Sequence, residues 1–189
     1  ELTRIDLRLE LLYRYIGESY LDSEVLISVI SDHGQSYISK DNRILGDERL
    51  NVPVLIKGSG VKGVISDELI ENIDVFKILL NSCGIKCPHK IDGRLPKVLG
   101  GEEERKFTYS ESVYPGKPYK AVINDDSHRF YFTAKSYCDN DGRFDISRNK
   151  ISLISKESGE DEKDMYNDKV IEYLDVVFEH VKHYIKIDV

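Results

Sequence analysis

The sequence predicts an α/β fold followed by a small antiparallel part. Two short apolar runs, residues 25–30 and 52–56, are typical of buried strands, and helical patterns flank them. After residue 105 the pattern changes to alternating, aromatic-rich runs broken by turn sequences, which is typical of an antiparallel meander. We therefore predict an α/β domain over residues 1–100 and an antiparallel subdomain over residues 101–189.

The first domain is predicted to begin with an amphipathic helix that ends near Gly17. Its apolar residues recur every three or four positions and so share one face, which consists of Leu2, Ile5, Leu9, Leu12 and Ile16. A strand over residues 25–30, a polar loop over residues 35–47 and a second strand over residues 52–56 follow.

A second helix is predicted after the turn-rich residues 57–60. Ser66 or Asp67 can cap its start, and Gly84 stands where a left-handed C-terminal cap is expected. Its buried stripe would consist of Leu69, Ile73, Phe76, Leu80 and Cys83. Residues 86–105, which contain prolines, glycines and a charge cluster, are predicted to be a connecting segment on the surface.

The second domain is predicted to contain four strands and a covering helix. The strands are expected over residues 107–113, 118–124, 128–135 and 150–154. The final helix would pack on this sheet through Val170, Leu174, Val177, Val181 and Tyr184.

Composition narrows the class of protein. The chain has 189 residues, a net charge of −7 and no lysine or arginine run, which argues against a nucleic-acid partner. No apolar run approaches the roughly 18 residues of a membrane span, and no signal peptide opens the chain. Because the chain begins at Glu1 inside a helical pattern, we expect a segment of a longer protein. Its oligomeric state is not predicted.

The three cysteines are Cys83, Cys87 and Cys138, an odd number and few for this length. A disulfide framework is therefore not expected, and we predict a reducing, cytoplasmic location. Cys83, Cys87 and His89 could form a zinc site, but paired Cys-x-x-C spacing is missing. Packed thiols at a helix end are the preferred interpretation.

The most informative motif is Ser31-Asp32-His33-Gly34, directly after the first apolar strand. Ligands of open α/β sheets bind at the carboxyl ends of the strands, where Asp32 and His33 would lie. A carboxylate beside an imidazole suits Zn or Mn better than Ca, which prefers oxygen ligands. A solvent-exposed turn is the alternative interpretation of these four residues.

Five motifs in the same order resemble the C-terminal part of the sulfatase family, within the alkaline phosphatase superfamily. They are Ser31–Gly34, the Glu-Arg…Val-Pro-Val-Leu-Ile…Gly segment Glu48–Gly60, the helix Ile73–Ile85, Asp92–Leu95 and Ser110–Ser112. The likeness extends over residues 1 to about 135 and fades beyond them. It implies an α/β fold that is the C-terminal portion of an alkaline-phosphatase-like sheet, with flanking helices.

The resemblance implies a hydrolase of sulfate or phosphate esters, with a small-molecule or glycan substrate. Asp32 and His33 would be ligands of a divalent ion (Ca, Zn or Mn), completed by ligands outside this chain. Arg43 falls on the family's lysine position, with Lys40 as the competing candidate, and either would contact the substrate's anionic oxygens. The family's nucleophile motif, Cys/Ser-x-Pro-x-Arg, has no match here. We therefore expect the chain alone to be inactive.

Other polar residues are predicted to be structural. Glu111 would be a hydrogen-bonded residue of an edge strand, and His128 would be solvent-exposed in a turn. His180 and His183 could share a metal, but an exposed helix face is the preferred interpretation.

Two further hypotheses stay open. One is a catalytically inactive sulfatase-fold module used for binding or assembly, which the residues upstream of Glu1 would distinguish from an enzyme. The other is an unrelated α/β regulatory domain, which predicts that the strands at 25–30 and 53–56 are not neighbours.

Overall fold

The computed structural model describes residues 2–20, 25–35, 45–58, 61, 63–86 and 89–182. In chain order its elements are α1 (Leu2–Ser19), β1 (Ile27–Ile30), α2 (Asp47–Leu50), β2 (Val54–Lys57), α3 (Asn72–Ser82), a 3₁₀ turn (Lys97–Leu99), β3 (Thr108–Ser112), β4 (Pro118–Asn124), β5 (His128–Tyr137), β6 (Asn149–Ser155) and α4 (Asn167–Val181). This mixed α/β content, with a four-stranded antiparallel sheet and a C-terminal helix, confirms the predicted fold class.

The chain forms two compact units. Unit 1 consists of Glu1–Asp32 and Val52–Glu104, and unit 2 consists of His33–Asn51 and Arg105–Val189. The predicted division into two continuous domains at residue 100 stays a prediction. None of the helices in the described residues is both long and apolar enough to cross a membrane.

In unit 1, the first predicted helix is present, but its end differs from the prediction. Helix α1 continues through Gly17 to Ser19. On its apolar face, Ile5 and Leu12 are about half exposed, while Leu9 and Ile16 are half-buried. Spacing alone identifies the apolar face of a helix, whereas burial needs a surface to pack against.

Strands β1 and β2 are antiparallel neighbours, with Ser28 opposite Ile56 and Val29 opposite Leu55. This pairing contradicts the hypothesis of an unrelated regulatory domain, which required separated strands. Gly58, directly after β2, is closely packed, because a Cβ at this position would clash with the side chain of Leu26.

The start of α3 corrects a prediction. The helix begins at Asn72 with Glu71 as its N-cap, so neither Ser66 nor Asp67 caps it. Its buried residues are Asp74, Val75 and Ile78, whereas Ile73 and Phe76, predicted to be buried, are more than half exposed. The buried face is rotated because Asp74 turns inward to accept backbone hydrogen bonds. Gly84 follows the helix with φ of +66°, as predicted for a left-handed cap.

Unit 2 contains the predicted meander, with strand order β3-β4-β5-β6 and antiparallel neighbours throughout. Strand β5 alternates strictly, so that every second residue from His128 to Ala134 is buried. Helix α4 covers this face, with Val170, Tyr173, Val177 and Val181 buried against it. Tyr184, predicted to continue this stripe, lies outside the described residues.

Candidate functional site

The candidate metal ligands lie in the turn that follows β1. Asp32 and His33 are both exposed, and Asp32 Oδ1 lies 3.5 Å from the Ser31 hydroxyl. The Asn72 side-chain amide donates to the carbonyl oxygens of Ser31, at 3.2 Å, and of Asp32, at 2.9 Å. Main-chain groups on both sides of the Asp32 Cα are thereby bonded to helix α3.

The imidazole of His33 has a defined tautomer. Its Nδ1 lies 2.7 Å from the carbonyl oxygen of Gly34. A carbonyl oxygen only accepts hydrogen bonds, so Nδ1 carries the proton and the lone pair of the neutral ring is on Nε2. Metal-binding histidines commonly donate one ring N–H to a backbone carbonyl in this way, so His33 fits the role of an Nε2 ligand.

Gly34 is required for backbone packing rather than for a positive φ. A Cβ at this position would clash with the carbonyl oxygen of Glu48. The Gly34 N–H donates to the carbonyl oxygen of Arg49 at 2.8 Å. Because Gly34 has no side chain, its backbone can approach the short helix α2 closely. Helix α2 includes Glu48, the first residue of the segment Glu48–Gly60 that resembles the sulfatase family.

Asp74 connects two of the segments that resemble the sulfatase family, Ile73–Ile85 and Asp92–Leu95. Its carboxylate is almost fully buried and accepts the backbone N–H groups of Glu71, at 2.8 Å, and Arg94, at 2.6 Å. Together with the Glu71 side chain it forms a capping box at the start of α3. Gly93 packs directly on this turn, where a Cβ would clash with the Ile73 carbonyl oxygen. Asp74 and Gly93 are thus structural.

The proposed ester-binding residues, Arg43 and Lys40, lie outside the described residues, as does Cys87. In the described part of the chain, no three His, Cys, Asp or Glu residues are grouped closely enough to hold a metal ion. Protein sites of this type use at least three ligands, so Asp32 and His33 could serve only as part of a larger ligand set. Cys83 and Cys138 are free thiols, the first exposed and the second buried.

The prediction that His128 is solvent-exposed is wrong. Only 7% of its surface is accessible, because the loop that follows β6 covers it. Its Nε2 lies 3.0 Å from Glu162 Oε2, and its Nδ1 lies 2.8 Å from the Ser127 hydroxyl. Since an ionised carboxylate only accepts, Nε2 carries the proton and Nδ1 of the neutral ring is an acceptor, with the Ser127 hydroxyl and, at 3.3 Å, the Lys169 ammonium beside it as donors.

Asp125, in the same hairpin turn, is the centre of this polar cluster. Its carboxylate accepts the N–H groups of Ser127, at 2.7 Å, and His128, at 2.6 Å. It also accepts the Lys169 ammonium, at 2.6 Å, and the Tyr173 hydroxyl of α4. Burial by itself raises the pKa of Asp125, but these hydrogen bonds outweigh it and hold that pKa well below its usual range. The cluster joins the β4–β5 hairpin to α4.

Glu111 has the structural role that was predicted. It lies on the edge strand β3, and its carboxylate accepts the Tyr119 hydroxyl at 2.9 Å. Tyr119 in turn lies 2.5 Å from the hydroxyl of Tyr109, and burial raises the pKa of both tyrosines. His180, which is half exposed, contacts the Tyr109 ring, with ring centroids 4.2 Å apart and planes tilted by 40°. His183 lies outside the described residues, so the shared-metal alternative stays open.

The chain is similar to a protein of the alkaline phosphatase superfamily. The chain is 32% identical over 111 residues to the "Multifunctional alkaline phosphatase superfamily protein PehA" of Trinickia caryophylli. The matched region covers 53% of this chain and 21% of that protein, so the chain spans about a fifth of the relative's length. No protein-family model and no solved structure matches the chain. The similarity supports a relationship with the alkaline phosphatase superfamily at most.

Proposed function

We propose that this chain is the C-terminal part of a metal-dependent, sulfatase-like hydrolase of sulfate or phosphate esters. The observation that carries the proposal is the turn after β1, where an exposed carboxylate stands beside an imidazole whose Nδ1 is bonded to a carbonyl oxygen. The superfamily relative and the pairing of β1 with β2 support it. The sulfatase-like activity rests on the five ordered motifs.

In this proposal, Asp32 and His33 supply two ligands of a divalent ion, which is Zn, Mn or Ca. Such an ion polarises an ester oxygen and activates a nucleophile when bound. The chain's own contribution is to hold the carboxylate and the Nε2 lone pair in place before binding, which limits the reorganisation needed. A cation from the following loop, Arg43 or Lys40, would hold the anionic oxygens of a small-molecule or glycan ester.

The remaining ligands and the nucleophile would come from another part of the parent protein. We therefore propose that this chain has no turnover by itself. The predicted cytoplasmic location is part of the proposal and rests on the cysteine content alone.

The test is to determine the coding sequence upstream of Glu1 and to assay the longer protein. We expect a hydroxyl or thiol nucleophile motif with acidic residues nearby, and metal-dependent hydrolysis of 4-nitrophenyl sulfate or a 4-nitrophenyl phosphodiester. Asp32→Ala and His33→Ala should each lower kcat/KM at least about 100-fold, because a ligand is lost. Asp126→Ala, a change at an exposed residue of unit 2, is the control.

Two outcomes would contradict the proposal. Apolar residues in place of the upstream nucleophile and acids would favour a binding or assembly module. Metal-dependent turnover by the 189-residue chain alone would show that the site is complete without further ligands.

A further inference from the structure

Asn72 makes an unusual pair of contacts. One side-chain nitrogen lies within hydrogen-bond distance of two consecutive carbonyl oxygens, those of Ser31 and Asp32, about 40 residues earlier in the chain. An amide nitrogen has two N–H groups, so it can donate to both oxygens at once. Both contacts lie inside unit 1.

The two carbonyl groups belong to the peptide planes on either side of the Asp32 Cα. A peptide unit is planar, so fixing its carbonyl oxygen fixes the orientation of the whole unit. With both neighbouring planes held, φ and ψ of Asp32 are restricted, and so is the direction of its Cα–Cβ bond. Asn72 therefore restricts the direction in which the Asp32 side chain leaves the backbone.

The residue that holds these planes is itself anchored. Asn72 is the first residue of α3, next to the capping box formed by Glu71 and the buried Asp74. Asp74 also accepts the N–H of Arg94, and Gly93 packs on the same turn. These contacts hold the backbone at the start of α3, from which the Asn72 side chain reaches the two carbonyl oxygens.

We propose that Asn72 is a positioning residue that pre-orients Asp32 for metal binding, an inference that rests on the proposed function. Asn72 does not touch the ion. It lowers the conformational freedom that Asp32 must lose on binding, and outer contacts of this kind commonly change metal affinity about 10-fold or more. Nothing in the sequence motif itself indicates this residue.

The test is a Mn²⁺ titration of the 189-residue chain, followed by paramagnetic broadening of the backbone amide signals of residues 31–34. Because Mn²⁺ bound at other carboxylates of this acidic chain also broadens nearby signals, only the broadening that Asp32→Ala removes reports on this site. In the wild type we expect broadening of these signals at low millimolar Mn²⁺ or below, and in Asp32→Ala its loss. Asn72→Ala should need about 10-fold more Mn²⁺.

Two further variants separate positioning from folding. Asn72→Leu has a similar volume and adds no charge but cannot donate to a carbonyl oxygen, so we expect it to weaken binding as much as Asn72→Ala. Asn81→Ala, which removes an exposed amide at the other end of the same helix, should bind Mn²⁺ like the wild type. Thermal melting of each variant gives the fraction of folded chain.

Each outcome decides a separate question. If both Asn72 variants bind Mn²⁺ as tightly as the wild type while Asp32→Ala does not bind it, the positioning role of Asn72 is overturned. The proposed function then still stands. Local broadening that survives Asp32→Ala would overturn the metal role of Asp32 and this inference with it. If Mn²⁺ binding by both Asn72 variants falls only in proportion to their folded fraction, Asn72 is a structural contact and not a positioning residue.

Discussion

The two units of the chain differ in how their apolar residues are used. In unit 2, aromatic and aliphatic side chains from all of β4, β5, β6 and α4 form one buried core. In unit 1, α1 and α3 leave large apolar side chains half exposed, among them Ile5, Leu11, Ile73 and Phe76. Buried apolar side chains are therefore concentrated in unit 2.

The largest expected effect tests whether stability is concentrated in unit 2. Phe130, on β5, is fully buried, and Phe130→Ala should lower the free energy of unfolding by about 4 kcal/mol, because it leaves a cavity. Phe76→Ala, which truncates a side chain that is 57% exposed in unit 1, should change it by less than about 1 kcal/mol. Urea unfolding followed by circular dichroism measures both. Equal losses in the two variants would remove the contrast between the units.

A slightly smaller loss is expected when the polar cluster of unit 2 is broken. Asp125→Ala removes the acceptor for Lys169, Tyr173 and two backbone N–H groups, and should cost about 3 kcal/mol. The neighbouring Asp126 is exposed, so Asp126→Ala is the matched control and should be nearly neutral. Urea midpoints at neutral pH compare the two. Similar midpoints would show that the cluster contributes little net stability.

An intermediate effect is expected at the start of α3 in unit 1. A Cβ at residue 93 would clash with the backbone of Ile73, so Gly93→Ala should destabilise this turn by about 2 kcal/mol. Gly63 has open space around the Cβ position, so Gly63→Ala should have little effect. Amide hydrogen exchange of α3 measures the local change. Unchanged exchange in Gly93→Ala would mean that this close approach is not required.

The smallest expected difference concerns acid pH. The folded-state pKa of Asp125 is lowered, so its stabilising contribution is present above the ordinary aspartate pKa of about 3.9 and is lost as pH falls through the folded value. Asp125→Asn does not titrate, so the stability difference between wild type and this variant should shrink as pH falls from 5 towards 3, a range set by that ordinary pKa. Urea midpoints across this range measure it, and a constant difference would contradict the assignment.

Local patterns predicted much of the backbone. Alternation placed the four strands of unit 2, and β5 is buried at every second residue as its sequence indicates. Periodicity found α3 but placed Ile73 and Phe76 on the wrong face, since it treats Asp74 as a polar surface residue. Burial of a carboxylate becomes favourable only when hydrogen-bond donors surround it, and one donor to Asp74, the N–H of Arg94, is distant in sequence.

The candidate site likewise combines features that the local sequence determines with contacts that only the tertiary structure determines. The sequence by itself determined that an acid and an imidazole follow an apolar strand, because residue type and order are local properties. Only the tertiary structure decided that Asn72 holds the carbonyl oxygens of Ser31 and Asp32, and that His128 is buried beside Glu162. These contacts join segments 34 to 41 residues apart. They arise from the packing of elements against one another, which no local pattern of residues encodes.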